Sequence, residues 1–243
     1  MRGVIVSKIE LLNQSCFEYL KNIEGNSVDL VLIDPPYEIS RDTGFSNTSL
    51  DKYKTVSMDF GDWDKSFTGL SIVLSECYRV LKKSGTLICF YDLWKITVLK
   101  DYFEKAGFKQ LRMIEWLKTN PVPLNSKLNY LTNAREIAVV GVKGGKPVFH
   151  SEYDNGLYQY PICHDKGRFH PTQKPVDLIK DLVEKHSNVG DLVIDCFSGS
   201  GTTAVACLHT NRNFKGCEIN PEYHSKSVAR LQAIEKDIEL VIE

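Results

Sequence analysis

Two stretches of this chain combine residue types and order in a way that points to chemistry: Asp34-Pro35-Pro36-Tyr37 and, about 160 residues later, Asp195-Cys196-Phe197-Ser198-Gly199-Ser200-Gly201. Pro35 has no N–H and fixes φ, so the backbone before it stays extended and its carbonyls face outward instead of closing a turn. Asp34 adds a carboxylate. Tyr37 adds a flat ring with a polar tip, able to stack on a heterocycle. Carbonyl and carboxylate acceptors beside a stacking ring suit the exocyclic amino group of a nucleobase. Taken alone, the tetrapeptide also fits a proline turn that ends a strand, with Asp34 as a cap and Tyr37 in the core.

The second stretch places backbone without side chains beside whatever lies at the end of its strand. Glu218 follows Asp195 by 23 residues, close to the offset of about 20 at which an acid holds the two hydroxyls of a ribose. The pair points to an adenosine-containing cofactor. Each half has a plainer reading, a flexible Gly-Ser-Gly turn and a surface acid, and it is the context of strand, glycine loop and helix that favours a nucleoside site.

Both loops need strands to carry them. Residues 28–33 are an almost continuous β-branched apolar run that stops at the prolines, as a strand buried on both faces does. Residues 191–195 are a second such strand, ending at Asp195, and residues 214–218 are a third candidate, ending at Glu218. Helical patterns cover 66–80, 93–106, 176–186 and 222–234, with a further helix opening near Thr202. Strands alternating with helices predict a parallel α/β sheet. The stretch 120–170 breaks the rhythm, is rich in Asn, Pro, Gly and Tyr, and contains one clean strand, 137–142. It is expected to be an insertion, with 1–119 and 171–243 forming the core.

The 243 residues carry 42% hydrophobic and 25% charged side chains and a net charge of -1. These values exclude wholesale disorder and a global basic field. A polyanionic partner must therefore meet a local patch, and residues 109–150 supply one, with seven Lys or Arg against Glu115 and Glu136. The seven cysteines form an odd set without a C-x-x-C pair, which argues against a disulfide framework and for a reducing, cytoplasmic setting. Cys163, His164 and His170 fit no zinc spacing, so no metal is expected. No segment approaches the roughly 18 uninterrupted apolar residues of a membrane span, which argues against secretion and membrane insertion.

Asp34-Pro-Pro-Tyr37, His170-Pro-Thr-Gln-Lys-Pro175, Asp195-Cys-Phe-Ser-Gly-Ser-Gly-Thr-Thr203 and Gly216-Cys-Glu-Ile-Asn220 together resemble the amino-directed DNA methyltransferases. The likeness is to their β-group, in which the catalytic motif precedes the cofactor motif, and it spans residues 8–235. It implies a Rossmann-like, S-adenosylmethionine-dependent core with circularly permuted motif order and a small target-recognition insertion. It also implies Asp34, Pro35, Pro36 and Tyr37 as catalytic residues, with Asp34 and the Pro35 carbonyl accepting from the amino group. The cofactor would lie across Phe197, Ser198, Gly199, Ser200 and Gly201, between Asp195 and Thr202, with Glu218 on the ribose. Thr172, Gln173 and Lys174 would stand near its methionine end, and Asp34 would touch both sites.

Two departures stand out. Where the family often carries a Gly-Asp pair against the adenine, this chain has Asn13-Gln14-Ser15-Cys16, leaving Ser15 and Cys16 at that place. Cys196 replaces a common proline, with little expected effect.

The resemblance implies double-stranded DNA as partner, with the target base flipped out and stacked on Tyr37. Lys127, Arg135, Lys143, Lys146, Arg168 and Trp63 are the candidate DNA contacts, since Lys and Arg hold phosphates while Asn and Arg read base edges. A solvated basic face is the plainer reading of that stretch. Family members that modify cytosine commonly carry Ser in place of Asp34, which favours adenine N6 over cytosine N4. The resemblance also leaves room for a homodimer and a cognate restriction endonuclease. The rival readings are a non-catalytic DNA-binding protein of the same fold and a dinucleotide oxidoreductase, the latter set back by Ala204 at the third glycine position.

Overall fold

The computed structural model describes residues 7–37, 67, 69–121, 132–163 and 167–242, with side chains described to residue 236. Its elements run β1 (Ile9–Asn13), α1 (Cys16–Asn22), β2 (Val28–Ile33), α2 (Leu70–Val80), β3 (Leu81–Tyr91), α3 (Ile96–Ala106), β4 (Lys109–Lys118), β5 (Arg135–Val142), β6 (Leu157–Tyr160), α4 (Val176–His186), β7 (Leu192–Asp195), α5 (Thr202–Thr210), β8 (Asn213–Glu218) and α6 (Pro221–Ile242). The eight strands form one sheet in the order β1-β8-β7-β2-β3-β5-β4-β6.

Alternation along β2 explains why both faces of the sheet are covered. Val31 and Ile33 join a core with Tyr19, Leu20, Val73, Leu74, Leu99 and Phe103, so α1, α2 and α3 pack on that face. Leu30 and Leu32 join the opposite core with Leu178, Leu182, Ala204, Val205 and Leu231, which places α4, α5 and α6 on the other. Both sets of β2 side chains are buried, so the strand has no polar face, as its sequence predicts.

The chain leaves the centre of this sheet in two directions. From β7 it winds outward through α5 to β8; from β2 it winds through α2 to β3 on the other side, all four strands being parallel. The switch point falls between β2 and β7. A crevice at the carboxyl ends of the strands there is the place where open α/β sheets bind ligands.

Several boundaries differ from the expected ones. Residue 66 lies outside the described residues, and α2 begins at Leu70 after Gly69. Residues 93–106 divide into a 3₁₀ turn, Leu93–Lys95, and α3, because Asp92 caps the turn by accepting from the Trp94 N–H. β4, which the sequence reading did not anticipate, pairs antiparallel with β5 and parallel with β6.

The expected insertion 120–170 contains β5, which sits between β3 and β4 and shares backbone hydrogen bonds with both. β6 is likewise a strand of the same sheet. Among the described residues, what lies outside the sheet are the connections. Since β4 and β6 run parallel to β3, residues after Lys118 and after Tyr160 emerge at the carboxyl edge, the side of Asp34, whereas residues after Val142 emerge at the opposite edge.

Candidate active site

Asp34 stands at the end of β2, and the Asp195–Gly201 loop at the end of β7, its hydrogen-bonded neighbour. Asp34 is fully engaged. Its Oδ1 accepts from the Tyr37 hydroxyl at 2.5 Å, and its Oδ2 accepts from the Lys174 ammonium at 2.5 Å. Pro35 and Pro36 are buried and hold the turn. The Tyr37 ring packs edge-on against Tyr91, with centroids 5.6 Å apart, and the Tyr37 carbonyl accepts from Lys95 Nζ at 2.9 Å.

Lys174 reaches a second carboxylate. Glu136 Oε2, on β5, lies 2.9 Å from its Nζ, and Glu136 Oε1 lies 2.8 Å from Lys118 Nζ on β4. The contact between Lys174 and Glu136 is an ion pair without the alignment of a hydrogen bond. Burial pushes the Asp34 carboxyl above the ordinary range, the Lys174 charge opposes that, and the Glu136 charge adds to it. Burial also works against Lys174, yet Asp34 and Glu136 together hold its ammonium well above the usual lysine range. For Glu136 the two lysines outweigh burial and hold its carboxyl low. Sequence reading counted Glu136 only in a charge tally and missed Lys118 as a partner. A lone Glu in a basic stretch carries no signal of a carboxylate 38 residues from Lys174 in the chain.

The glycine loop is rigid because its side chains bind one another. Asp195 accepts from the Phe197 N–H at 2.9 Å and from Thr203 Oγ1 at 2.7 Å, and burial pushes its carboxyl up to about 7. Ser198 Oγ donates to the Asp195 carbonyl, and Ser200 Oγ lies 3.0 Å from Thr202 Oγ1. The side chains of Asp195, Ser198, Ser200 and Thr202, expected at the cofactor, thus face the loop's interior, leaving backbone at the rim. Gly199 has φ +49° and Gly201 φ +73°, and a Cβ on Gly199 would stand 3.3 Å from His170 Nε2. Gly201 leaves the start of α5 without a side-chain cap.

Glu218, at the end of β8, accepts from the Gly199 N–H through Oε2 and from the Asn220 N–H through Oε1, each at 2.8 Å. Burial raises its carboxyl while those N–H groups oppose the shift. The 170–175 segment lies against the loop: Thr202 Oγ1 donates to the Lys174 carbonyl, and Thr172 Oγ1 lies 3.2 Å from His170 Nδ1. Gln173 is buried, with Nε2 on Cys163 Sγ and Oε1 without a partner. It borders a cavity of about 400 Å³ on the α6 side of the segment, lined also by Gly167, Phe169, Lys226, Ala229 and Arg230. That cavity holds neither Asp34 nor the glycine loop.

Other expected residues lie elsewhere. Ser15 caps α1, accepting from the Glu18 N–H and donating to its carboxylate, so its hydroxyl is already committed. Cys16 is 7% exposed and packs in the core, where burial pushes its thiol up to about 12. Lys143 is spent structurally: its ammonium donates to Asn26 Oδ1 and to the Arg79 and Leu81 carbonyls, closing the end of α2 at the sheet edge opposite Asp34. Lys146 follows on that same opposite side, three residues past Lys143. Arg168 donates to the Cys163, His170 and Pro171 carbonyls of its own segment. Arg135, at the carboxyl edge, is exposed and paired with Glu115. Trp63, Lys127 and His164 lie outside the described residues. Two aromatic features went unanticipated. Trp94, in the turn after β3, is 88% exposed at the Asp34 edge, and Phe17, Phe67 and Phe197 form a chain of rings beside the glycine loop.

A sequence model described as DNA methylase, for N6 and N4 methyltransferases, matches residues 28–229. The chain belongs to that family. The type II methyltransferase M2.DpnII of Streptococcus pneumoniae is 32% identical over 251 aligned positions, covering 93% of this chain and 91% of the relative. The type II methyltransferase M.HpaI of Haemophilus parainfluenzae is 30% identical, covering 92% and 74%. Among solved structures, the M1.HpyAVI–SAM complex superposes with a TM-score of 0.68 at 27% identity, covering 92% of this chain and all of that one. The cytosine-N4-specific PvuII DNA methyltransferase superposes at 0.72 but is 18% identical, a likeness of fold alone. This DNA methyltransferase draws its methyl group from S-adenosylmethionine. The residues present suit that donor, since the positive-φ glycines leave a rim without side chains beside an acid at the end of the adjacent strand. Among the described residues of the methyltransferase, no three His, Cys, Asp or Glu are grouped to hold a metal ion, and no helix is long and apolar enough to cross a membrane.

Proposed function

We propose that this methyltransferase modifies the N6 amino group of adenine flipped out of double-stranded DNA, with Asp34 as the acceptor that orients the amino group. The observation that carries the reading is the placement of the Asp34 carboxylate beside the glycine loop, on a turn stiffened by two buried prolines and held between Tyr37 and Lys174.

Bound S-adenosylmethionine supplies a methyl group on a positively charged sulfur. The adenine amino nitrogen shares its lone pair with the ring and is a poor nucleophile. Asp34 and the Pro35 carbonyl accept its two hydrogens, concentrating the lone pair on nitrogen as it becomes tetrahedral, a positioning and charge-stabilising role. A carboxylate has about four lone-pair sites, so Asp34 takes this hydrogen bond while keeping those from Tyr37 and Lys174. As the N–C bond forms, the donor's methyl–sulfur bond would break with its electron pair going to sulfur, one N–H proton would be shed, and Asp34 is the base assigned to receive it. Tyr37 offers a ring face for the extruded base. No thiol is needed as nucleophile, and burial raises Cys16, Cys89, Cys196 and Cys217.

For the donor, we assign the backbone rim of Phe197–Gly201 to the methionine and sugar, Glu218 to the ribose hydroxyls, and Thr172, Gln173 and Lys174 to the neighbouring wall. Asp195, Ser198, Ser200 and Thr202 serve by holding the loop. Target recognition falls to the two connections that leave the carboxyl edge, after β4 and after β6, with Arg135 and Trp94 beside them. Seven cysteines outside any disulfide suit a reducing cytoplasm, and a cognate endonuclease is the partner expected of a type II enzyme.

Digesting methylated DNA to nucleosides and identifying the product by mass spectrometry tests the base. N6-methyladenine is expected; N4-methylcytosine overturns the base assignment and leaves the role of Asp34 standing.

A further inference from the structure

We propose that Glu136 on β5 is a positioning residue for methyl transfer, acting through Lys174 to keep Asp34 oriented and basic enough to hold the amino group. The proposal rests on the reading of Asp34 as acceptor given above.

Four charged groups form one line across the carboxyl edge of the sheet. Asp34 Oδ2 is 2.5 Å from Lys174 Nζ, that nitrogen is 2.9 Å from Glu136 Oε2, and Glu136 Oε1 is 2.8 Å from Lys118 Nζ. The side chains are 8% exposed at Lys174, 22% at Asp34 and Glu136, and 15% at Lys118. The line sums to zero charge, which is the condition under which shielded ions are tolerated. A simple ion pair between Asp34 and Lys174 already satisfies that condition. The second pair, Glu136 with Lys118, is therefore surplus to neutrality and requires another account.

Geometry supplies one. An ammonium facing a single carboxylate is free to swing around it; hydrogen-bonded to Asp34 and ion-paired with Glu136 on a different element, it is drawn from both sides. Glu136 faces the same side of β5 as Ala138 and Val140, toward Phe90, whose ring lies 5.0 Å from Lys174 Nζ. The Phe90 ring thus bounds the ammonium on one side while the two carboxylates pull it from both ends. Lys174 thereby fixes Asp34 Oδ2, and Tyr37 fixes Oδ1, so the carboxylate plane is set before any base arrives. Electrostatically, Glu136 draws part of the ammonium's charge away from Asp34. An Asp34 paired with Lys174 alone is a weaker acceptor, because its negative charge is more fully neutralised.

The groups facing Asp34 are Tyr37 on its own turn, Lys174 before α4, Glu136 on β5 with Lys118 behind it on β4, Cys89 on β3 and Asp195 on β7. Removing the Glu136 charge removes a like-charge neighbour, so Asp34 ionises more readily. The acidic limb of kcat in Glu136→Gln should then move to lower pH, and kcat on the plateau should fall at least tenfold. Removing the Lys118 charge leaves Glu136 uncompensated on that side, so in Lys118→Met the limb should move to higher pH. A residue that merely supports the fold does not shift the two limbs in opposite directions.

The experiment measures single-turnover methylation of a duplex oligonucleotide against pH for wild type, Glu136→Gln, Lys118→Met and Asp34→Ala, with S-adenosylmethionine affinity by calorimetry as the control for folding. Opposed limb shifts, a tenfold loss in Glu136→Gln and cofactor affinity within twofold of wild type are the expected result. A folded Glu136→Gln with unchanged kcat and limb overturns the proposal. If Glu136→Gln does not fold, Lys118→Met decides alone: an unmoved or lowered limb overturns it, a raised one sustains it. Turnover retained in Asp34→Ala brings down the Asp34 reading itself, an outcome distinct from the failure of Glu136 with Asp34→Ala inactive.

Discussion

Lys174 Nζ lies 2.5 Å from Asp34 Oδ2, so two residues 140 apart in the chain share one ion pair at the end of β2. Replacement of Asp34 by Ala leaves Lys174 its second carboxylate, Glu136, and the fold should survive. Turnover in Asp34→Ala should fall about 10³-fold, the scale of losing one preorganised polar contact to the reacting group, with cofactor affinity affected far less. Single-turnover kinetics beside calorimetry checks this, and full activity removes Asp34 from the reaction.

Gly199→Val tests the donor site. At φ +49° a β-branched residue is strained, and its Cβ would meet His170 at 3.3 Å, so the loop must shift. The variant should remain folded by circular dichroism and lose detectable S-adenosylmethionine binding. Normal affinity would place the cofactor elsewhere.

Lys143→Met separates a structural lysine from a DNA-binding one. It removes a cation from three acceptors at the end of α2, which should lower stability by roughly 1–3 kcal/mol. DNA affinity and its salt dependence should stay as in wild type. A salt slope reduced by about 0.9 would instead indicate a phosphate contact.

Trp94→Ala should do the reverse. The ring is 88% exposed and contributes little to packing, so Tm should not change. DNA affinity should drop about tenfold, within the roughly 1–3 kcal/mol of a lost stacking contact. Unchanged affinity in a filter-binding or fluorescence titration would exclude Trp94 from the interface.

His186 sets a pH limit on stability. Burial pushes its imidazole down to about 4, with Asp154 and Asp181 opposing the shift and Lys185 adding to it. A folded pKa below the unfolded value of about 6.5 means the histidine's contribution is complete above that pH. It is lost as pH falls toward 4, by about 3 kcal/mol in all. The difference in Tm between wild type and His186→Gln should therefore shrink from pH 7 to pH 4. A constant difference across that range would refute the assignment.

Much was legible in the chain by itself. The run 28–33 is apolar at every position but Asp29, so its strand had to be buried on both faces. Asp34 and Asp195 each close a β-branched apolar run, which placed them at strand ends, and Glu218 closes the shorter candidate 214–218. The glycine loop was readable because only glycine leaves a rim bare at positive φ, as Gly199 and Gly201 do. Tertiary structure decided the rest. β4 and β5 pair antiparallel at one side of the sheet with mixed exposure, so β4 carried no clean period, and Lys143 joined the basic stretch in sequence while lying at the opposite edge in space. Which cation meets which carboxylate depends on strand order, not on spacing. Glu136 became a neighbour of Lys174 because β5 folds back between β3 and β4, and Ser15 became a helix cap because Glu18 follows it by three residues at the start of α1.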